Sequence, residues 1–296
     1  MTEAPAVQEG RRSAEVSGPV VPLRRTGSRI LAALVVVLLV CCAAVVVDSG
    51  QISWPAVGGY LFDPSILSGV GVTIALTFAS MALSCVIGVV LALMRMSGSA
   101  VLSATSSGYI WFFRGTPLLV QIIFWFNIAL FVPEISLGPV EINTNELVTP
   151  YVAAVLALSL HEAAYMAEIV RSGLQSVPLG QREAAGALGL TPAQTMAKVV
   201  LPQAMAVIIP PTGNQTIGML KTTSLVSVVA ASDLLTKAQH IYTSNYLVIE
   251  LLIVASAWYL ALTTVASLCQ YFIERHFAPA ERKPRRTRTS GEAGPS

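Results

Sequence analysis

Polar and ionisable residues set inside long apolar runs are where this 296-residue chain could do chemistry. His161 and Glu162 stand at the midpoint of the apolar segment that begins at Thr149-Pro150, with Tyr165 and Glu168 further along it. An imidazole and a carboxylate at bilayer depth are expensive, so they must face protein or water. Three roles stay open for them: a structural hydrogen bond between helices, contact with a substrate or gate, or a proton relay. Asn214 and Gln215 lie in a second apolar segment, among Pro210, Pro211, Gly213 and Gly218. Lys221 and Thr223 follow them, and Arg114 precedes a third segment, where it could snorkel or face a pathway. Nothing matches a GxxxxGK[ST] nucleotide loop, so if ATP drives this protein, another chain must bind it. Cys41, Cys42, Cys85 and Cys269 fall within apolar runs without metal-ligand spacing and read as packing thiols.

The elements that position these residues are apolar helices. Hydrophobic residues make up 54% of the chain and charged residues 11%, which describes an integral membrane protein. Residues 1–28 read as a disordered tail, and Ile30–Val47 as a retained first span rather than a signal peptide. The loop 48–66 has neither Lys nor Arg, whereas Arg11, Arg12, Arg24, Arg25 and Arg29 precede the first span. The positive-inside rule then places the N-terminus in the cytoplasm. Asp63-Pro64 caps a span over about 67–94, whose Gly69, Gly71, Ser80, Ser84 and Gly88 suit helix contacts. Residues 97–113 suit an interfacial helix feeding a third span, where Thr116-Pro117 suggests an N-cap. The fourth span runs from Thr149 to about Arg171. A fifth, over about 199–220, reads as broken at Pro210–Gly218. A re-entrant or half-helical piece covers 224–231, and the last span covers about 246–270. The tail 277–296 is basic and reads as disordered and cytoplasmic. The expected fold is an all-α integral membrane protein with about six transmembrane helices and both ends inside.

Between the fourth and fifth spans lies Glu183–Pro202, EAAGALGLTPAQTMAKVVLP. Gly189 can end a short helical run, because glycine tolerates the left-handed conformation just past a helix. Thr191, Pro192 and Gln194 then supply an N-cap, a first-turn proline and a capping box. Helix, sharp turn and helix form a knob at the membrane surface. Its small residues, Ala184, Ala185, Gly186 and Ala187, leave backbone accessible to another protein.

This stretch resembles the EAA loop of ABC importer membrane subunits: EAA, three residues, Gly, nine residues, then I-x-LP. Val199 in place of Ile is the one departure. FRGTPLLVQ (Phe113–Gln121), AYMAEIVRSGLQSVPLGQ (Ala164–Gln181) and the LPQA and PPTGNQ segments (Leu201–Gln215) resemble the polar amino acid permease branch. The resemblance covers about 66–276, an importer transmembrane domain of five helices, with 29–48 an extra N-terminal helix.

The resemblance implies a permease that binds no cofactor itself. Glu183, Ala184, Ala185, Gly189 and Leu190 would dock on a cytoplasmic ATPase dimer that carries ATP and Mg. An extracytoplasmic binding protein would deliver a polar amino acid, and an identical or related second permease would complete the pathway. His161 and Glu162 would meet the substrate's polar part, with Asn214, Gln215, Thr223, Arg114 and Lys221 along the path. Many relatives read Lys-Asp-Thr-Ser-Leu where this chain has Lys221-Thr222-Thr223-Ser224-Leu225, so Lys221 needs another partner: Glu162, Glu168 or a substrate carboxylate. The chain would sit in the cell membrane, in contact with lipid and not nucleic acid. The alternative is an ion- or proton-coupled secondary transporter using His161 and Glu162.

Overall fold

A computed structural model describes residues 26–48, 50–137 and 140–277. The tails expected at the two ends lie outside the described residues, up to residue 25 and from 278 onward. The chain divides into two compact units, 1–52 and 53–296. In the first, α1 (Thr26–Asp48) is a helix of 23 residues.

The second unit opens with a short helix, α2 (Trp54–Tyr60), which no apolar periodicity announces. Asp63 then caps α3 (Pro64–Met96) as expected, its side chain accepting from the Ser65 N–H at 2.8 Å. Residues 97–113 are mostly helical, as expected. They belong to α4 (Ala100–Gly115), which meets α5 (Leu118–Phe126) at a bend of 102°. Thr116 is no N-cap: it ends α4, and its hydroxyl donates back to the Phe112 carbonyl. The next loop holds an antiparallel hairpin that the all-helical expectation omits, β1 (Glu134–Leu137) against β2 (Val140–Asn143), and a single turn, α6 (Thr144–Leu147). Ile135 faces Ile142 across that hairpin.

Thr149 caps α7 (Pro150–Gln175), with Pro150 in its first turn. After α8 (Leu179–Ala187) and α9 (Pro192–Thr195), a π turn over Met196–Val200 leads into α10 (Leu201–Thr222). A 3-10 segment (Thr223–Val229), α11 (Leu234–Asn245) and α12 (Val248–Phe277) complete the chain.

The expected break in the fifth span is corrected. Helix α10 runs unbroken through Pro210, Pro211 and Gly213, and the chain leaves α-helical geometry only at Thr223. The two prolines remove two backbone donors and so free the carbonyls four residues back, those of Ala206 and Val207, a loss that membrane helices tolerate. Beside them the Thr212 hydroxyl donates to the Ile208 carbonyl at 2.8 Å, and the Gln270 amide of α12 donates to the Pro210 carbonyl at 3.0 Å, which ties this turn to its neighbour. Six spans are expected. By length and composition the described residues supply four, or five if α4 and α5 count as one bent span.

Helix α7 is the centre of the unit. Its apolar stretch is 56% buried against protein, compared with 39% for α3, 22% for α12 and 17% for the run 192–229. Burial on so many sides requires small side chains, and Ala153, Ala154, Ala157, Ala163, Ala164 and Ala167 supply them. Gly88 of α3 completes the fit: a Cβ there would stand 2.6 Å from Met166 Cβ and 3.1 Å from the Ala167 nitrogen. Leu76, Met81, Ile122, Leu158, Met219 and Val226 then join α3, α5, α7, α10 and the 3-10 segment into one core. A second core, around Ile66, Leu234, Leu251 and Val254, ties α3 to α11 and α12. Of the small residues expected to face other helices, Gly71 is the exception and meets nothing within 4 Å. Gly88→Val should therefore cost about 2 kcal/mol by overpacking, and Gly71→Ala close to nothing. The readout is the fraction of protein still folded after graded heating in detergent.

Candidate functional site

Adjacent residues on a helix point about 100° apart, and that separates His161 from Glu162. Glu162 enters the packed interior, where it is 8% exposed. The Gln215 side chain of α10 lies beside its carboxyl group, and Cys85 of α3 lies near enough to feel its charge. The remaining oxygen, Oε1, is buried and has no hydrogen-bond partner. A buried oxygen without a partner carries the full penalty of lost hydration.

His161 faces the α4–α5 bend instead. The Gln121 Nε2 lies 3.2 Å from His161 Nδ1, 2.6 Å from Thr116 Oγ1 and 3.1 Å from the Phe113 carbonyl oxygen. One amide therefore pins both arms of the bend to α7. The Tyr165 ring stands 5.4 Å from the His161 ring, and the Arg114 guanidinium sits 5.0 Å above that tyrosine, within cation–π range. Arg114 is thus held at the bend rather than free to snorkel.

The other pathway candidates separate further. Gln215 reaches Glu162, whereas Asn214 Oδ1 accepts from Gln270 of α12 at 3.3 Å. Thr223 is fully buried and donates to the Leu220 carbonyl at 2.7 Å, so it faces its own backbone rather than an open path. Lys221 is exposed in the last turn of α10, where the helix dipole favours a cation. Glu168 is not its partner. That carboxylate pairs with Arg95 of α3 and, at 2.7 Å, with Arg171 Nη2, which ties the ends of α3 and α7 together. Among the described residues no ion pair joins Lys221 to Glu162 either.

The Glu183–Pro202 stretch is built more rigidly than a loop. Helix α8 begins at Leu179, after Pro178, so Glu183 is its fifth residue and not its start. The helix closes with Leu190 N–H donating to the Ala185 carbonyl at 3.1 Å and Gly189 N–H to the Gly186 carbonyl at 2.9 Å. This paired closure needs a left-handed residue, and Gly189 has φ +79°. The capping box of Thr191 and Gln194 is present in both directions. Helix α9 does not stop, however. It continues through the π turn into α10, so the second arm of the knob is the base of the span itself. Pro202 explains the π turn: its ring would clash with the carbonyl four residues back, and a widened turn just before it relieves that clash.

Both arms are anchored. Arg182 Nη2 donates at 2.6 Å to the Leu174 carbonyl, an acceptor left over at the end of α7. Val170, Leu174 and Val177 pack with Val200, Ala204 and Ile208. Gly173 lets α7 and α10 meet, since a Cβ on it would fall 2.3 Å from Ile208 Cγ1. Outward, Glu183, Ala184, Gly186, Ala187 and Gly189 are exposed, Leu190 is half-buried and Leu188 is 82% exposed, while Ala185 packs inward.

A family profile described as binding-protein-dependent transport system inner membrane component matches residues 84–279. The chain belongs to that family. It is 44% identical over 258 residues to the arginine transport system permease protein ArgU of Corynebacterium glutamicum, across 86% of this chain and 82% of the relative. It is 36% identical over 218 residues to the nopaline transport system permease protein NocM of Agrobacterium fabrum, across 72% of this chain and 89% of the relative. A solved structure described as an amino acid ABC transporter with histidines matches with a TM-score of 0.66 at 34% identity, covering 76% of this chain and 99% of that one. The inward-facing MetNI methionine ABC transporter shares the fold, with a TM-score of 0.55 at 23% identity over 77% of this chain and all of that one. The protein is a multi-pass membrane permease, and its family works with an ATPase and a binding protein. The ion- or proton-coupled alternative finds no support in these likenesses.

Sequence reasoning missed Gln121, Gln270, Arg95 and Arg182 as organising residues. A lone amide in an apolar run was the available signal for the first two. Nothing in the sequence marks Arg182 as a helix-end donor. Because Gly189 alone supplies the left-handed turn, Gly189→Val should strain it by about 2 kcal/mol. Amide hydrogen exchange should rise at Gly189 and Leu190 while the α7 amides stay protected.

Proposed function

We propose that this chain is the permease subunit of an ATP-driven importer for a polar amino acid with a cationic side chain. The observation that carries the proposal is Glu162. Its Oε1 is buried without a partner in the most enclosed helix of the protein. A guanidinium or ammonium passing between α3, α7 and α10 would supply the missing hydrogen bonds and charge. The relative named for arginine transport supports the same class. Gln215 orients the carboxylate, and His161 holds the α4–α5 bend with Gln121 and Arg114. Asn214 lines the path below, with Lys221 at its outer end and Thr223 behind it in the wall.

In this reading the termini are cytoplasmic, and the exposed face of α8 docks on the ATPase subunit, which supplies ATP and Mg. Glu183 is the fifth residue of α8, beyond the first turn in which a carboxylate benefits from the helix dipole. Its exposed charge is therefore available to a basic group on the partner. A binding protein feeds the outer face, and a second permease subunit, identical or related, closes the path.

Uptake by proteoliposomes holding the full complex and its binding protein tests the substrate class. Labelled arginine uptake should be competed by lysine and arginine and not by glutamate. Equal competition by glutamate would reject the cationic class. Glu162→Gln should slow arginine uptake about tenfold, the scale of one lost charge-assisted hydrogen bond, with assembly unchanged. Glu183→Lys should leave the chain in the membrane yet reduce co-purification of the ATPase. Wild-type co-purification together with wild-type uptake would remove Glu183 from the docking surface.

A further inference from the structure

Gln270 has no part in the path just described, yet it is 9% exposed and meets α10 at the Pro210–Asn214 turn. Its Nε2 lies 3.0 Å from the Pro210 carbonyl oxygen, 3.3 Å from Asn214 Oδ1 and 2.5 Å from Glu274 Oε1. An amide nitrogen carries two protons, so three acceptors compete for them. Glu274, one turn along the same helix and charged, holds one. The other is shared between the Pro210 carbonyl and Asn214, both on α10. Gly213 permits this approach: a Cβ there would stand 2.6 Å from Gln270 Cδ. The turn that is gripped follows directly on Pro210 and Pro211, whose missing N–H groups leave the Ala206 and Val207 carbonyls one turn back without intrahelical donors, so an outside contact steadies α10 where its own ladder is thinned.

We infer that Gln270 is a positioning residue for the transport path. Its amide fixes the Pro210–Asn214 turn of α10, and so sets how Asn214 and the neighbouring Gln215 are presented to the substrate. This rests on the reading that Asn214 and Gln215 line the path. Glu274 keeps the amide turned toward α10. Truncating it loosens the same turn from a distance.

The test uses the assembled complex with its ATPase and binding protein. Gln270→Met fills the same space without an N–H. In proteoliposomes it should raise the KM for arginine uptake about fivefold, with maximal rate and ATPase activity retained. Hydrogen exchange of the amides over 208–216 should accelerate in the same protein. Gly213→Ala, which displaces the amide while keeping it, should reproduce both effects and guards against a folding defect peculiar to the first variant. Wild-type exchange over 208–216 in Gln270→Met overturns the inference, because no clamp then exists. Faster exchange with an unchanged KM overturns it too, because the clamp would not serve the path. If the wild-type complex moves no cationic amino acid, the reading of the path fails separately, and the exchange experiment alone still decides whether Gln270 grips α10.

Discussion

Gly173 and Ile208 meet with no room for a methyl group between them, and the rest of the arrangement depends on that contact. It joins the end of α7 to the base of α10 directly behind the Glu183–Pro202 stretch. Leu174, Val177, Val200 and Ala204 extend it into a small apolar core, and Arg182 closes its edge on the last carbonyls of α7. The chain between these helices therefore starts and finishes on one packed platform. Its exposed turn is held by two local devices that need no partner, the glycine closure at Gly189 and the capping box at Thr191. A push on such a turn has little slack to take up before it reaches the helices.

Those two helices carry Glu162 and Gln215, whose side chains lie side by side in the interior. Each is supported from a different side. Helix α7 is enclosed by α3 through Gly88 and by the α4–α5 bend through Gln121, while α10 leans on α12 through Gln270. The acid sits where small side chains let backbones approach closely, so water is scarce and an unpartnered oxygen is costly. In the proposed reading, that cost is the physical basis for recognising a cation. The same residue in a wet cleft would discriminate weakly.

What the sequence made legible was set locally. Asp63, Thr149 and Thr191 act as caps, and Gly189 closes a helix, because each rule involves only a few neighbouring residues. What it obscured was decided by distant partners. Pro210 and Pro211 read as a break, but the helix runs through them, and Gln270 of the distant α12 ties the same turn to its neighbour. Thr116-Pro117 reads as a helix start, and α5 does begin there, but the cap is Pro117, the chain turns through 102°, and Gln121 links the two arms. His161 and Glu162 read as a pair because they are adjacent, and one helical step sends them to different neighbours. The membership of the family was legible from the EAA pattern, since a docking turn must be small, exposed and stiff wherever it occurs.

The central claim is that the exposed turn and the base of α10 move as one body. Spin labels at the exposed positions Leu188 and Val207, in the complex assembled with its ATPase, measure this directly. The distance between them should be the same without nucleotide and with ATP bound, while the distance between the Leu188 labels of two permease subunits shifts. A Leu188–Val207 distance that changes with nucleotide would mean that the turn flexes on its own, and would contradict the account.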